Sequence, residues 1–444
     1  MIKTSFRMYR HSIAMYFMAT SIALFLLSSC KKDEDIVSNG NHPAAHTSDV
    51  VDKWLNMQLR LMRNSTGIPN HALSRQYAYS GIAAFESLAP GLQSDRVWSH
   101  KWNGLTGLPT AEPSDKYYFP ANVNAALAAM NKSMFPNATS ADKAAIDSLE
   151  AALNNDFLSS KDQELINRSS AFGKAVAAAV YNWSETDGYK NAGGAYTPPV
   201  GPGLWTPTPP ANANALTPYW GNNRPVIAGS TNDTRPVAPI AYSTQPGSLF
   251  HNMVKEVYDI SLNLTDDQKA MAIFWRDVPG VSSPGHWLSI LKQVLQKTRT
   301  RLDKAVVAYA ITGAAINDGI ISCWEAKYHY NLLRPITYIR SNLDHNMWNS
   351  HITTPPHPEY PSGHAVLSGA AASAFEILFG NVGPITDHTY DYMGLPSRTY
   401  DSFSAIGKEA GQSRVYGGIH FQETIDVSLL QGKKITANIF LHNN

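Results

Sequence analysis

Apolar residues return at helical spacing through most of this chain, and no other feature restricts its fold as strongly. Val51, Trp54, Leu55, Leu59 and Leu61-Met62 begin the pattern, which continues over 72–88, 123–134, 141–153 and 164–183. Strand-like alternation is scarce, so the expected class is all-α. Asp142 precedes an Ala- and Leu-rich helix, and Leu264-Thr265-Asp266-Asp267-Gln268 has the form of a capping box opening a helix that runs to Trp275. Further helices are expected over 248–260, 289–302, 304–330, 362–379, 402–416 and 424–440, with a break at Pro335.

One stretch departs from this pattern. Between Pro198 and Pro246 stand 11 of the 27 prolines, a density that forbids a regular helix or an inner strand. Trp205, Tyr219 and Trp220 within it call for packing, so the expectation is an ordered crossover lying over the helices.

The chain begins with Lys3, Arg7 and Arg10, an uncharged apolar run over 13–27, and Ser28-Ser29-Cys30. This is the pattern of a secretory signal over 1–29, and the run falls short of the roughly 20 apolar residues that span a bilayer. Leu27-Ser28-Ser29-Cys30 resembles the lipobox of bacterial lipoproteins, which implies a lipidated Cys30 at the mature N-terminus. A flexible tether over 30–47 follows. Its Lys31-Lys32-Asp33-Glu34-Asp35 run is similar to a signal for the outer face of the outer membrane, and reads equally well as a solvated charge run. The expectation is an exported outer-membrane lipoprotein, on its periplasmic or cell-surface face, that touches the membrane through lipid alone. Losing the three leader cations takes the net charge from +1 to −2, which leaves no electrostatic footprint for nucleic acid. The two cysteines make no disulfide framework, and Cys323 reads as a small core residue.

Three local patterns near the C-terminus carry chemistry. Lys327 and Arg334-Pro335 are spaced so that a continuing helix would bring both cations to nearly one face, toward one anion. Arginine presents a planar fork to oxyanion oxygens and lysine a compact charge. Pro361-Ser362-Gly363-His364 is a Gly-containing turn into a helix, which aims backbone N–H groups and the positive end of the helix dipole at an anion. Ser362 adds a hydroxyl donor, and His364 can exchange a proton near neutral pH. Ser413-Arg414 then precedes His420, with Gly417-Gly418 bending the chain between them. Each pattern alone is weak; together, in order within 94 residues, they are hard to explain as unrelated structural charge.

These residues resemble the signature K-x6-R-P, P-S-G-H, S-R-x5-H-x3-D of the superfamily joining type 2 phosphatidic acid phosphatases, bacterial acid phosphatases and vanadium-dependent haloperoxidases. The resemblance implies an α-bundle and a trigonal oxyanion, vanadate or phosphate, held by Lys327, Arg334, Ser362, the Gly363 N–H and Arg414. It makes His420 the vanadium ligand or phosphorus nucleophile, and His364 the acid/base. The last Asp of the signature is Thr424 here. That Asp orients the histidine, so Glu423 is the expected substitute, with Asp426 less well placed, and an Asp at 424 would be expected to tighten vanadate binding.

Trp324 and His357 stand where haloperoxidases place residues flanking vanadate, His357 in the manner of algal bromoperoxidases; core packing and a plain loop position are the competing readings. His329, His351 and His388 match no motif position and read as structural or surface residues. The implied activity is oxidation of halide by hydrogen peroxide. The alternatives are a soluble acid phosphatase cleaving phosphate esters through a phosphohistidine, and a lipid-anchored oxyanion-binding protein with little turnover. Residues 48–444 read as a single helical domain with the oxyanion-binding core in 300–444.

Overall fold

Among residues 42–92, 98–99, 101–111, 116–278 and 280–441, which this computed structural model describes, thirteen α-helices supply nearly all regular structure. The leader, Cys30 and the charged run after it lie outside the described residues. The expected tether does not extend to residue 47: Pro43–Ala45 form a 3-10 turn capped by His42, and Thr47 bridges Arg301.

The first group of helices is α1 (Asp49–Asn64), α2 (Leu73–Glu86), α3 (Phe119–Met134), α4 (Ser140–Leu158) and α5 (Gln163–Ser184). After the Pro-rich crossover come α6 (Leu249–Leu262), α7 (Asp266–Phe274) and α8 (Ser283–Thr298). The last group is α9 (Leu302–Tyr330), α10 (Pro335–Asn342), α11 (Gly363–Phe379), α12 (Phe403–Tyr416) and α13 (Gln422–Leu441). An antiparallel ribbon of β1 (Ile385–Asp387) and β2 (Arg398–Tyr400), with Thr386 opposite Thr399, is too short to alter the all-α class.

The expected capping box is present: Thr265 Oγ1 accepts from the Gln268 N–H at 3.2 Å and the Thr265 N–H donates to Gln268 Oε1 at 2.9 Å. Asp142, by contrast, lies inside the first turn of α4. Thr139 caps that helix, and Asp142 instead accepts from Arg60 Nε at 2.7 Å. α8 begins at Ser283, six residues before the apolar period, because Pro284 is tolerated in a first turn whose N–H groups need no helical partner.

α9 organises the rest. Its 29 residues are apolar on nearly every face, which fits a helix surrounded by others, and it packs against α2 on one side and α11 on another. Among the described residues it alone is long and apolar enough to cross a membrane, yet 94% of its apolar window is already buried in protein. The approach to α2 needs small residues: a Cβ on Gly81 would sit 2.7 Å from the Tyr309 carbonyl oxygen, and one on Gly313 2.8 Å from Ala78 Cα. One apolar cluster runs from Val50 on α1 to Ile439 on α13.

The crossover is ordered, as its aromatics imply. Trp205 and Trp220 are fully buried, while Tyr219 stays half out. Asp318 of α9 pins it by accepting from the Val226 and Ile227 N–H groups at 2.8 and 3.1 Å and from Ser230 Oγ at 2.7 Å. Leu204 bridges Leu332, and the Trp205 N–H donates to the Asn331 carbonyl at 2.7 Å. The Pro-rich segment therefore supports the short connection between α9 and α10, where the first motif lies.

Candidate active site

Lys327 and Arg334 converge by a different route from the one their spacing suggests. α9 ends at Tyr330, Asn331 adopts a left-handed conformation, and Arg334 is the N-cap residue of α10, so a sharp break rather than a continuing helix brings the cations together. Ser362 and Gly363 open α11, whose first N–H groups have no partner within the helix. Arg414 lies in the last turn of α12. His420 precedes α13, after Gly418, whose φ of +75° is one that side-chain-bearing residues rarely adopt.

Lys327, Arg334 and Ser362 are fully buried, and Arg414 and His420 nearly so. Lys327 Nζ donates to the carbonyls of Pro358 (2.8 Å), Glu359 (3.0 Å) and Pro361, which draws the 358–361 loop over α9. Arg334 donates from Nε to the His357 carbonyl (2.9 Å), from Nη1 to the Ile419 carbonyl (2.8 Å) and His420 Nε2 (3.2 Å), and from Nη2 to His357 Nδ1 (3.0 Å). Arg414 donates once, from Nη1 to the Trp275 carbonyl at 3.0 Å. Its Nε is buried with no partner, and so is Ser362 Oγ. Among the described residues no carboxylate lies within ion-pair distance of these three cations, and no cluster of His, Cys, Asp or Glu could hold a bare metal ion.

These groups surround or back a cavity of about 160 Å³ lined by Trp324, His357, Gly363, His364, Arg414 and His420, among others. Buried cations with no carboxylate in direct contact are costly, and the shifts report it. Burial drives Lys327 down to about 7, and Arg334 and Arg414 each down to about 10. His420 falls well below its ordinary value through burial and the charges of Arg334, Lys327 and Arg414, so its ring is neutral. An oxyanion fits this set: it supplies the missing negative charge and acceptors for Arg414 Nε, Ser362 Oγ and the Gly363 N–H.

His364 Nε2 lies 3.0 Å from the Trp275 carbonyl, which can only accept, so its Nδ1 is the nitrogen that can take a proton. Burial and the Arg414 charge push His364 to about 3, with Asp277 at 3.6 Å opposing. Asp277 is held below the usual carboxylate range, against its own burial, by His364, Arg414 and two hydrogen bonds from Ser283.

Trp324 and His357 both line the cavity, with ring centroids 5.0 Å apart. Several wall residues escaped the sequence reading, His71, Leu216 and Asp277 among them. His71, just before α2, stacks on Trp324 at 4.1 Å, and Leu216 of the crossover accepts from Tyr328 at 2.8 Å. None of these carries a motif, because each reaches the site only through long-range packing. His329, His351 and His388 are exposed, as expected.

The expected orienting group is corrected. Glu423 and Asp426 lie on the exposed face of α13, and His420 sits before that helix, so neither carboxylate shares its surroundings. Glu359 takes the position: its Oε1 accepts from His420 Nδ1 at 2.6 Å and the Phe421 N–H at 3.2 Å, and its Oε2 from Thr424 Oγ1 at 3.0 Å. Thr424 therefore touches the carboxylate rather than the imidazole. Glu359 was visible three residues before Ser362, but nothing in the spacing shows that the loop folds back onto α13.

A mostly helical bundle that buries three cations, two unpartnered donors and a neutral histidine around one cavity has the features of a candidate oxyanion site. Residues 307–444 match the family described as the VCPO second helical-bundle domain. A bacterial vanadium-dependent iodoperoxidase is similar over 90% of this chain and 97% of its own, at 31% identity and a TM-score of 0.79. The chain therefore belongs to the vanadium-dependent haloperoxidase family. The apo and holo forms of a bacterial vanadium-dependent chloroperoxidase share the fold at 16% and 17% identity. Their TM-scores are 0.59 and 0.60, over 85% of this chain and 95% and 93% of theirs. Among curated protein sequences none matches.

Proposed function

We propose that this protein is an exported, lipid-anchored haloperoxidase that binds vanadate in the Lys327, Arg334, Ser362, Gly363, Arg414 and His420 cage and oxidises halide with hydrogen peroxide. The observation that carries this reading is the pair of unused donors among these residues: Arg414 Nε and Ser362 Oγ, buried without partners. The chemistry vanadate would supply in this cage is Lewis-acid activation of peroxide. Arg414, Ser362 and the Gly363 N–H would hold the vanadate oxygens, Lys327 and Arg334 would lend positive charge from behind, and His420 would offer the Nε2 lone pair that Arg334 Nη1 occupies at 3.2 Å in the anion-free site. His364 can take a proton at Nδ1 and return it. His357, whose Nδ1 lies 3.0 Å from Arg334 Nη2 and 3.3 Å from the Pro358 carbonyl, forms with Trp324 the wall where halide is recognised. Iodide, the halide of the 31% identical relative, is the first to test.

The test is a paired assay. The vanadate-loaded protein should oxidise iodide or bromide with peroxide, and the vanadate-free protein should show little phosphate-ester hydrolysis. Ester hydrolysis without halide turnover would make it a phosphatase, and neither activity would leave an oxyanion binder.

Export rests on the basic leader and the Leu27 to Cys30 box. Mass spectrometry of the native N-terminal peptide should find lipidated Cys30 as the first residue; an unmodified Cys30 or cleavage at another bond would remove this part of the proposal.

A further inference from the structure

We propose that Glu359, from the loop before α11, is the positioning residue that fixes His420 with its proton on Nδ1 and its lone pair on Nε2, and that Thr424 holds that carboxylate in place. The inference rests on the oxyanion reading of this site and adds to it which side chain prepares the histidine.

Both flanks of the ring require the same tautomer. A guanidinium can only donate, so the 3.2 Å contact from Arg334 Nη1 makes Nε2 the acceptor. Nδ1 must then carry the proton, and its neighbour at 2.6 Å is Glu359 Oε1. Glu359 is fully buried and accepts from three donors, His420 Nδ1, the Phe421 N–H and Thr424 Oγ1. The last two come from the start of the α13 segment, so the carboxylate is anchored to the stretch of chain that carries His420. The Glu359 carbonyl also accepts from Lys327 Nζ at 3.0 Å, which ties the loop to the cage. A carboxylate behind a liganding imidazole raises the basicity of the opposite nitrogen, and such partners are commonly worth 10–100-fold in affinity or activity. Here it comes from across the fold, and the helix position where the signature has Asp provides only a hydroxyl to hold it.

The experiment pairs vanadate calorimetry with 15N-histidine NMR of the anion-free protein, in which Glu359 should give the His420 Nδ1–H a strongly downfield proton line. Glu359→Gln should shift that line upfield and weaken vanadate binding by about 10–100-fold. Glu359→Ala should abolish the line, and Glu359→Ala combined with Thr424→Asp should restore it with at least part of the affinity, since the carboxylate then arrives from α13. Thr424→Asp alone should weaken binding, because it sets a second carboxylate against Glu359. A His420 spectrum unchanged in Glu359→Gln overturns the proposal whatever the affinity, and so does failure of the double variant, folded by its melting curve, to recover the line. Wild-type protein that binds no vanadate overturns the reading of the cage instead, while the anion-free spectra still decide the role of Glu359.

Discussion

Arg414→Ala should raise the vanadate dissociation constant by about 10- to 150-fold while leaving the melting temperature nearly unchanged. Hydrogen bonds to charged groups are worth about 1.5–3 kcal/mol, and each 1.4 kcal/mol is tenfold in affinity. Arg414 donates only to the Trp275 carbonyl and keeps its buried Nε unused, so most of its hydrogen-bonding capacity is available to an anion. Arg334 should behave differently. Its donors already serve the carbonyls of His357 and Ile419 and the rings of His357 and His420, so Arg334→Ala should lower both affinity and melting temperature by leaving those acceptors buried and unpaired. Calorimetric titration with vanadate, alongside thermal melts, measures both effects. Unchanged dissociation constants in both variants would mean the oxyanion binds elsewhere.

Vanadate binding should take up protons at pH 8 and weaken about tenfold per pH unit above 7 for each proton taken up, once the anion's own titration is subtracted. Burial lowers Lys327 to about 7, so in the anion-free protein the side chain begins to lose its proton near neutral pH, and with it one of its three carbonyl bonds. An oxyanion favours its charged form and draws a proton in. Calorimetry in buffers of different ionisation heat counts the protons, and an identical count near zero at pH 6 and pH 8 would refute the linkage.

The sign for stability follows from the same shift. Lys327 is lowered from 10.5 to about 7 on folding, so the unfolded chain binds more protons between those values. The contribution of Lys327 to stability in the anion-free protein therefore grows as pH rises from 7 toward 10.5. Bound oxyanion should remove that rise.

The sequence by itself was sufficient for the class of fold, and it named the side chains that the fold gathers around or behind one cavity. Helical period is a local property, and the Pro-Ser-Gly-His turn becomes a helix N-terminus wherever it is set, so α11 and its anion-facing N–H groups were legible from those residues alone. The convergence of Lys327 with Arg334 was inferred correctly from residue types but through the wrong geometry, since the chain breaks at Asn331 and is held there by the crossover at Leu204.

Long-range packing decided the rest. His71 arrives from before α2 because small residues let α2 lie against α9, and Asp277 arrives with the segment after α7. The partner of His420 is the sharpest case. Counting along α13 pointed to Glu423, but His420 precedes that helix and Glu423 faces solvent. Lys327 gathers the carbonyls of the 358–361 loop, and this brings Glu359 beneath the imidazole. Spacing within one segment reports which side chains share a face, whereas the carboxylate that meets His420 depends on a buried cation 32 residues before it in the chain drawing a loop across two helices, a contact with no local signature.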